Sequence, residues 1–271
     1  MSIKLVTIDI DDTLVNSQKE ITARVKTALN EATAQGVKVV LATGRPLTGV
    51  TRYLDELGLN QQDDQYVITY NGGVVETTSG QRLGGESLTR DDFLELQAIA
   101  TDLGAYLQVE TLTKAYTTNT EVNPWASLEN YLINMDLRTV SLADMPRDED
   151  YVKMIMIGEE NDITQWYQAL PKNVLEKYYV VQSTPHNLEF MNKAASKGAG
   201  LAVLRDILQL AVAETMALGD QQNDLTMIET AGLGIAMGNA IPALKQIAQA
   251  ETTTQNEDGV GVAIEKYVLN A

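Results

Sequence analysis

The chain has no cysteine. That absence excludes a disulfide framework, a zinc-thiolate centre and a thiol nucleophile. Histidine is almost as scarce. The single one, His186, stands apart from any Ser-His-Asp arrangement and from any Arg-His-Gly signature, and it reads as structural. No G-x-x-x-x-G-K-[ST] loop occurs, which removes the P-loop nucleotide hydrolases. Gly232, Gly234 and Gly238 lack the spacing of a dinucleotide fingerprint and read as turns around a strand. Long apolar runs are missing too, since none approaches the ~18 residues of a membrane span. The opening Met-Ser-Ile-Lys-Leu shows no basic leader ahead of an apolar stretch, so a cytoplasmic protein with no membrane partner is expected. Positive charge is in deficit: 20 Lys and Arg against 37 Asp and Glu leave a net charge of −17. Such a chain is a poor partner for a nucleic-acid backbone, which is bound mostly by neutralising phosphates with Lys and Arg. A small anionic substrate remains open if a bound cation supplies positive charge locally.

What is present suffices for a large core. At 271 residues and 44% hydrophobic, the chain accommodates one big domain or two modest ones. Residues 3–8 read as a buried strand, followed by a helical face at Ile21, Val25, Ala28, Leu29 and Ala32 that ends at Gly36. A strand over 37–41, a helix over 46–57 with Pro46 in its first turn, and a strand over 66–70 complete a βαβαβ order. That order predicts an α/β fold with a parallel sheet. Asn71-Gly72 breaks the pattern, and 74–76 with 81–83 reads as a small hairpin. From about 85 to 186 the texture is mixed α+β, in the order helix, paired strands, helix, a strand over 152–157, helix and a strand over 178–182, and it is loop-rich over 119–150; from 187 the alternating pattern returns with a helix over 197–210. The expected organisation is a discontinuous core, 1–84 and 187–271, with 85–186 inserted as a second domain.

Acidic residues collect where strands of this core end. Asp9 and Asp11 lie two apart behind the first strand, and Asp220 and Asp224 follow the strand at 215–218. The carboxyl end of such strands is where α/β sheets place ligands. Two acids at one strand tip repel each other, so the position calls for a cation, a shared proton or a catalytic task. Thr43-Gly44-Arg45 ends another strand, and Lys197 opens a helix. With Cys and His chemistry excluded, carboxylate chemistry remains. An aspartate can attack phosphorus and carry the phosphoryl group as an acyl-phosphate. A Mg²⁺ ion would offset the repulsion between carboxylate and phosphate, with Asp9 and Asp220 among its oxygen ligands. Asp11 is then free for proton transfer.

Asp9-x-Asp11-x-Thr13, Thr43-Gly44-Arg45, Lys197-Gly198 and Gly219-Asp220-x-x-Asn223-Asp224 resemble the four ordered motifs of the haloacid dehalogenase superfamily phosphatases. Asn71-Gly72, Ala236-Met237-Gly238-Asn239-Ala240 and the insertion resemble the Cof-type branch, most of all its YidA-like sugar phosphatases. The resemblance covers essentially the whole chain. It implies a Rossmann-like core with an inserted α+β, C2-type cap, and a Mg²⁺-dependent phosphatase of small phosphorylated metabolites, sugar phosphates leading. It also implies Asp9 as nucleophile and metal ligand, Asp11 as acid/base giving its main-chain carbonyl to the metal, and Asp220 as a further metal ligand. Thr43, Gly44, Ile10, Lys197 and Asn223 would receive the phosphoryl group, with Asp224 and Arg45 behind them. Two positions depart from the usual pattern of the branch: Asp12 stands where glycine is common, and Ser196 precedes Lys197. A phosphomutase and a non-catalytic metabolite-binding regulator are the alternatives, and oligomeric state is not legible.

Overall fold

The computed structural model describes residues 2–270. The chain forms two compact units, one from Met1–Gly85 with Ser196–Ala271 and the other from Glu86–Ala195. In chain order the first unit supplies strands β1 (Leu5–Ile8), β2 (Lys38–Ala42), β3 (Tyr66–Thr69), β4 (Val74–Thr77) and β5 (Arg82–Gly84). The second unit follows with β6 (Tyr106–Glu110), β7 (Lys114–Thr117), β8 (Asp136–Thr139), β9 (Lys153–Ile157), β10 (Tyr178–Thr184) and β11 (Asn187–Asn192). The first unit then resumes with β12 (Thr215–Gly219), β13 (Leu233–Ala236) and β14 (Ala250–Glu251).

The sheet of the first unit has the order β14-β13-β12-β1-β2-β3-β4-β5. It is parallel from β14 through β3, and β4 and β5 add an antiparallel edge. This is the α/β fold the sequence pattern predicts. β1 lies centrally, with Leu5 opposite both Thr215 of β12 and Lys38 of β2. All four of its residues are fully buried, which is why its sequence is nearly continuous in apolar character rather than alternating. Helix Ala23–Ala34 buries the expected Val25, Ala28, Leu29 and Ala32, and Thr22 Oγ1 caps it by accepting from Val25 N.

Two boundaries differ from the sequence reading. Pro46 is extended, with ψ of 166°, and the chain coils only at Leu47–Gly49 and then at helix Thr51–Glu56. The reason is a tertiary tie, because the Arg45 carbonyl accepts from Tyr70 N and holds the segment straight. Helix Lys197–Ile207 ends before residue 210, since Gln209 takes a φ of +55°.

The second unit holds a six-stranded sheet of order β10-β11-β9-β6-β7-β8, antiparallel except for the β7–β8 pair. β11 belongs to this sheet, paired on both sides, whereas the sequence pattern placed residues 187–192 after the return to the first unit. Its apolar run Leu188-Glu189-Phe190 suits either sheet, and only pairing decides. Leu107, Val109, Met154, Met156, Leu188 and Phe190 share one apolar cluster with Phe93, Leu96 and Ala100 of helix Arg90–Leu103. The alternate positions Glu110, Lys153 and Glu189 are also buried, as a charge cluster with Lys153 Nζ 3.1 Å from Glu189 Oε1 and 3.5 Å from Glu110 Oε2. Residues 119–150, read as loop-rich, contain the helix Pro124–Leu132, which Asn123 caps by accepting from Trp125 N, and strand β8.

Candidate active site

Of the residues singled out from the sequence, Asp9, Lys197, Asp220 and Asp224 meet where β1 and β12 end. Asp9 leaves β1 with its amide still donating to the Leu218 carbonyl of β12, so its position is set by the sheet. Ser196 caps helix Lys197–Ile207 by accepting from Ala199 N at 3.1 Å, which fixes the helix start and so Lys197. Lys197 is fully buried. Its Nζ donates to Asp9 Oδ1 at 2.5 Å and to Asp224 Oδ1 at 2.7 Å. Asp224 Oδ2 in turn accepts from the amides of Asp220 and Gln221 at 2.9 and 3.0 Å. Both oxygens of Asp224 are therefore engaged. Asp220 Oδ1 accepts from Thr13 Oγ1 at 2.9 Å, so Thr13, a motif residue without an assigned role, orients this carboxylate.

Asp9, Asp220 and Asp224 each place a carboxylate oxygen within 4.8 Å of the others, all three buried. Three carboxylates against one ammonium leave two negative charges in a buried space. One divalent cation would cancel them, and the donors are the hard oxygens that Mg²⁺ prefers. Asp9 and Asp220 each have one oxygen held by a protein donor, and a carboxylate has capacity beyond that. The residues present thus fit such an ion.

Electrostatics tell the same story. Burial raises Asp9 most, Lys197 opposes it, Asp224 and Asp220 add to it, and the carboxyl ends at about 8. Burial also raises Asp220, to about 6, against the hydrogen bond from Thr13. Lys197 is shifted upward: burial alone would lower it, but Asp224 and Asp9 outweigh that.

Asp11 is held by a different set of partners. Arg45 grips it with Nε 3.0 Å from Oδ2 and Nη2 2.8 Å from Oδ1, and Lys19 Nζ adds a bond to Oδ1 at 3.1 Å. Burial would raise its pKa, but Arg45 and Lys19 prevail and hold the carboxyl below its usual range. Arg45 is thus a direct partner of Asp11, and Lys19 is a residue that sequence reasoning missed.

The turn after β3 completes the arrangement. Tyr70 and Asn71 have φ of +51° and +54°, and Gly72 has +93°. A Cβ on Gly72 would lie 1.9 Å from the Ser196 carbonyl oxygen, so only glycine lets this turn meet the start of the Lys197 helix. Asn71 N donates to the Thr43 carbonyl at 2.8 Å, and Asn71 Oδ1 accepts from Asn223 Nδ2 at 3.0 Å. Asn71 also packs under Gly44, where a Cβ would come within 3.1 Å of its amide nitrogen. Thr43 is buried, with its Oγ1 accepting from Arg45 N. Sequence reading makes Asn71 a turn residue and a mark of the branch, with no contact assigned to its side chain. Here it ties the Thr43-Gly44 loop to Asn223.

Known proteins share this chain's pattern over nearly its full length. Residues 6–264 match the family model described as haloacid dehalogenase-like hydrolase. A Streptococcus pyogenes protein with phosphatase in its name is 40% identical over 271 residues, covering all of both chains. The Bacillus subtilis 5-amino-6-(5-phospho-D-ribitylamino)uracil phosphatase YcsE is 32% identical, covering 99% of this chain and 97% of its own. Among solved structures, a haloacid dehalogenase-like hydrolase from Bacteroides thetaiotaomicron matches with a TM-score of 0.84 at 31% identity, covering 97% of this chain and 99% of that one.

Proposed function

Because the chain belongs to the haloacid dehalogenase-like hydrolase family and is a phosphatase, we propose that it hydrolyses small phosphorylated metabolites, sugar phosphates foremost, with Mg²⁺ and an aspartyl-phosphate intermediate. The observation that carries this reading is the buried Lys197 bridging Asp9 and Asp224, with Asp220 beside them at the ends of β1 and β12. The name of the YcsE relative, a phosphatase of a phosphorylated ribitylamino compound, supports a small hydroxylated leaving group.

In this reading Asp9 attacks phosphorus, the ester bond breaks, and Asp11 delivers the proton to the leaving oxygen. Asp11 then takes a proton from the water that cleaves the acyl-phosphate, releasing inorganic phosphate and restoring Asp9. Thr43, the Gly44 and Ile10 amides, Asn223 and Lys197 receive the phosphoryl oxygens. Asp9, Asp220 and the main-chain oxygen of Asp11 would hold Mg²⁺, whose positive charge would offset the repulsion between the anionic nucleophile and its anionic target. Asp224 holds Lys197 and the 220–221 amides in place. To act as an acid, Asp11 must leave Arg45 and Lys19, since that clamp favours its charged form. The inserted residues carry selection of the leaving group, a division supported by the position of every site residue in the first unit.

The test is a screen of phosphorylated metabolites for phosphate release with Mg²⁺ and with excess chelator. Turnover of sugar phosphates that needs the cation and disappears in Asp9→Asn is expected. Isomeric sugar phosphate in place of free phosphate would turn the reading to a mutase, and full activity under chelation would overturn the metal assignment.

A further inference from the structure

The sheet of the second unit ends in an open strand, β8. Val140 N donates to the Thr117 carbonyl, so the alternation of a parallel ladder directs the main chain of Asp136 and Arg138 toward β7 and that of Leu137 and Thr139 outward. An open edge of this kind is a template for another strand.

Beside it runs the helix Pro124–Leu132, whose Leu128, Tyr131 and Leu132 are 44, 81 and 64% exposed. Spaced three and four apart, they form one apolar stripe. A groove of about 350 Å³, lined by residues that include Tyr131, Met135 and Leu137, joins this helix to β8. Leu137 packs with Ile133 and Met135. The side chains of Asp136 and Arg138 are 68 and 58% exposed and pair with each other, 3.1 Å apart. The whole chain carries −17, yet from 122 to 139 its only charges are Glu129, Asp136 and Arg138, and Glu129 bonds Asn187. Copies of the chain repel each other less here than elsewhere.

We propose that β8 pairs antiparallel with β8 of a second copy of this chain, about a two-fold axis at Leu137. The outward main chain of Leu137 suits the hydrogen-bonded pair at the centre of such a ladder. Asp136 then faces Arg138 of the second copy and Arg138 faces its Asp136, so the strand is complementary in charge to itself and to no shifted register. A two-fold axis perpendicular to the sheet leaves both Pro124–Leu132 helices on one face, where their apolar stripes cover each other. The main-chain bonds give register, and the buried Leu and Tyr surface contributes the apolar area a stable interface needs.

Sedimentation of the full chain from about 1 to 100 µM tests this. The wild type is expected at twice 29.6 kDa. Asp136→Arg and Arg138→Asp each place like charges opposite one another twice, and each is expected to weaken the dimer by ~10-fold or more. The double variant restores opposite charges and is expected to restore the dimer, which a folding defect would not do. Thr139→Pro removes an outward amide that β7 does not use and should dissociate the dimer with the circular dichroism of the wild type. A wild type monomeric at every concentration, single swaps that leave the dimer intact, or a double swap that fails to restore it would each overturn the proposal.

Discussion

Asp12 occupies a position where the branch commonly has glycine, and its backbone explains that preference: φ is +61° and ψ is 15°. The left-handed region costs most side chains about 1–2 kcal/mol, and after glycine it suits Asp and Asn best. The Asp12 carbonyl accepts from Asn239 Nδ2 at 2.8 Å, so the turn is held from outside as well. Asp12→Gly is therefore expected to keep the fold and to change stability by less than about 1 kcal/mol, with relief of strain offset by the freer unfolded chain. Urea melts of both proteins measure it. For the reacting groups the expectations are larger. Asp9→Asn should form no acid-stable phospho-enzyme, and Asp11→Asn should lose about 10²–10⁴ in kcat, each with an unchanged fold by circular dichroism; label retained at residue 9 in Asp9→Asn would refute its role as nucleophile. The placement of Asp9, Thr43 and Asp220 behind strand ends and of Lys197 at a helix start was legible in the sequence because apolar periodicity marks those elements. Lys19 was not, because it stands in a loop with φ of +61° and only the tertiary fold brings its Nζ to Asp11.

Elements were legible where burial is one-sided or complete and obscure where a tertiary tie sets the boundary. β1 and helix Ala23–Ala34 follow their patterns, whereas the bond from Tyr70 N to the Arg45 carbonyl keeps Pro46 out of the next helix. Helix Pro124–Leu132 answers to the helix expected between the paired strands and the strand at 152–157, but its bounds were not legible because Leu128, Tyr131 and Leu132 are exposed while Asn130 is buried, against the usual sense of an apolar face. Helix Arg90–Leu103 shows how an element end becomes pH-sensitive. Asp92 accepts from Thr89 N, Tyr178 and Lys177 at its first turn. Burial would raise it, but these donors bring it down to about 2. A carboxylate depressed in the folded state contributes stability that is complete above its unfolded value near 3.8 and is lost as pH falls through about 2. With Lys177 half exposed the contribution is about 1 kcal/mol. Asp92→Asn should therefore destabilise the second unit by about that amount at pH 5, with the gap closing toward pH 2 in urea melts.

At the scale of the whole molecule, charge ties stability to the cation. Asp9 and Asp220 titrate at about 8 and about 6 when folded, both above 3.8, so the folded state holds more protons than the unfolded one across that window. Stability from this cluster therefore falls as pH rises from about 4 to 8, and a divalent cation replaces the lost protons. Mg²⁺ is expected to stabilise by about 2.7 kcal/mol at a hundredfold excess over Kd and, at one fixed concentration, to raise Tm more at pH 8 than at pH 6, with chelator reversing it. Equal melting curves with and without the ion would refute the site. The two-unit organisation was legible because chain texture changes near 85. Where the first unit resumes was not, since β11 pairs within the second. That the first unit is made of two distant segments also bears on how the protein is synthesised. Asp9 and Lys197 are 188 residues apart, and Thr13 and Asp220 are 207 apart. A growing chain can complete Glu86–Ala195, which is continuous, while β1 still waits for β12. During that interval the central strand has one bare edge, and Asp9 has neither its ammonium nor its neighbouring acids. The nascent polypeptide is thus chemically silent until its last quarter emerges, and it is most exposed to misassembly during that same interval.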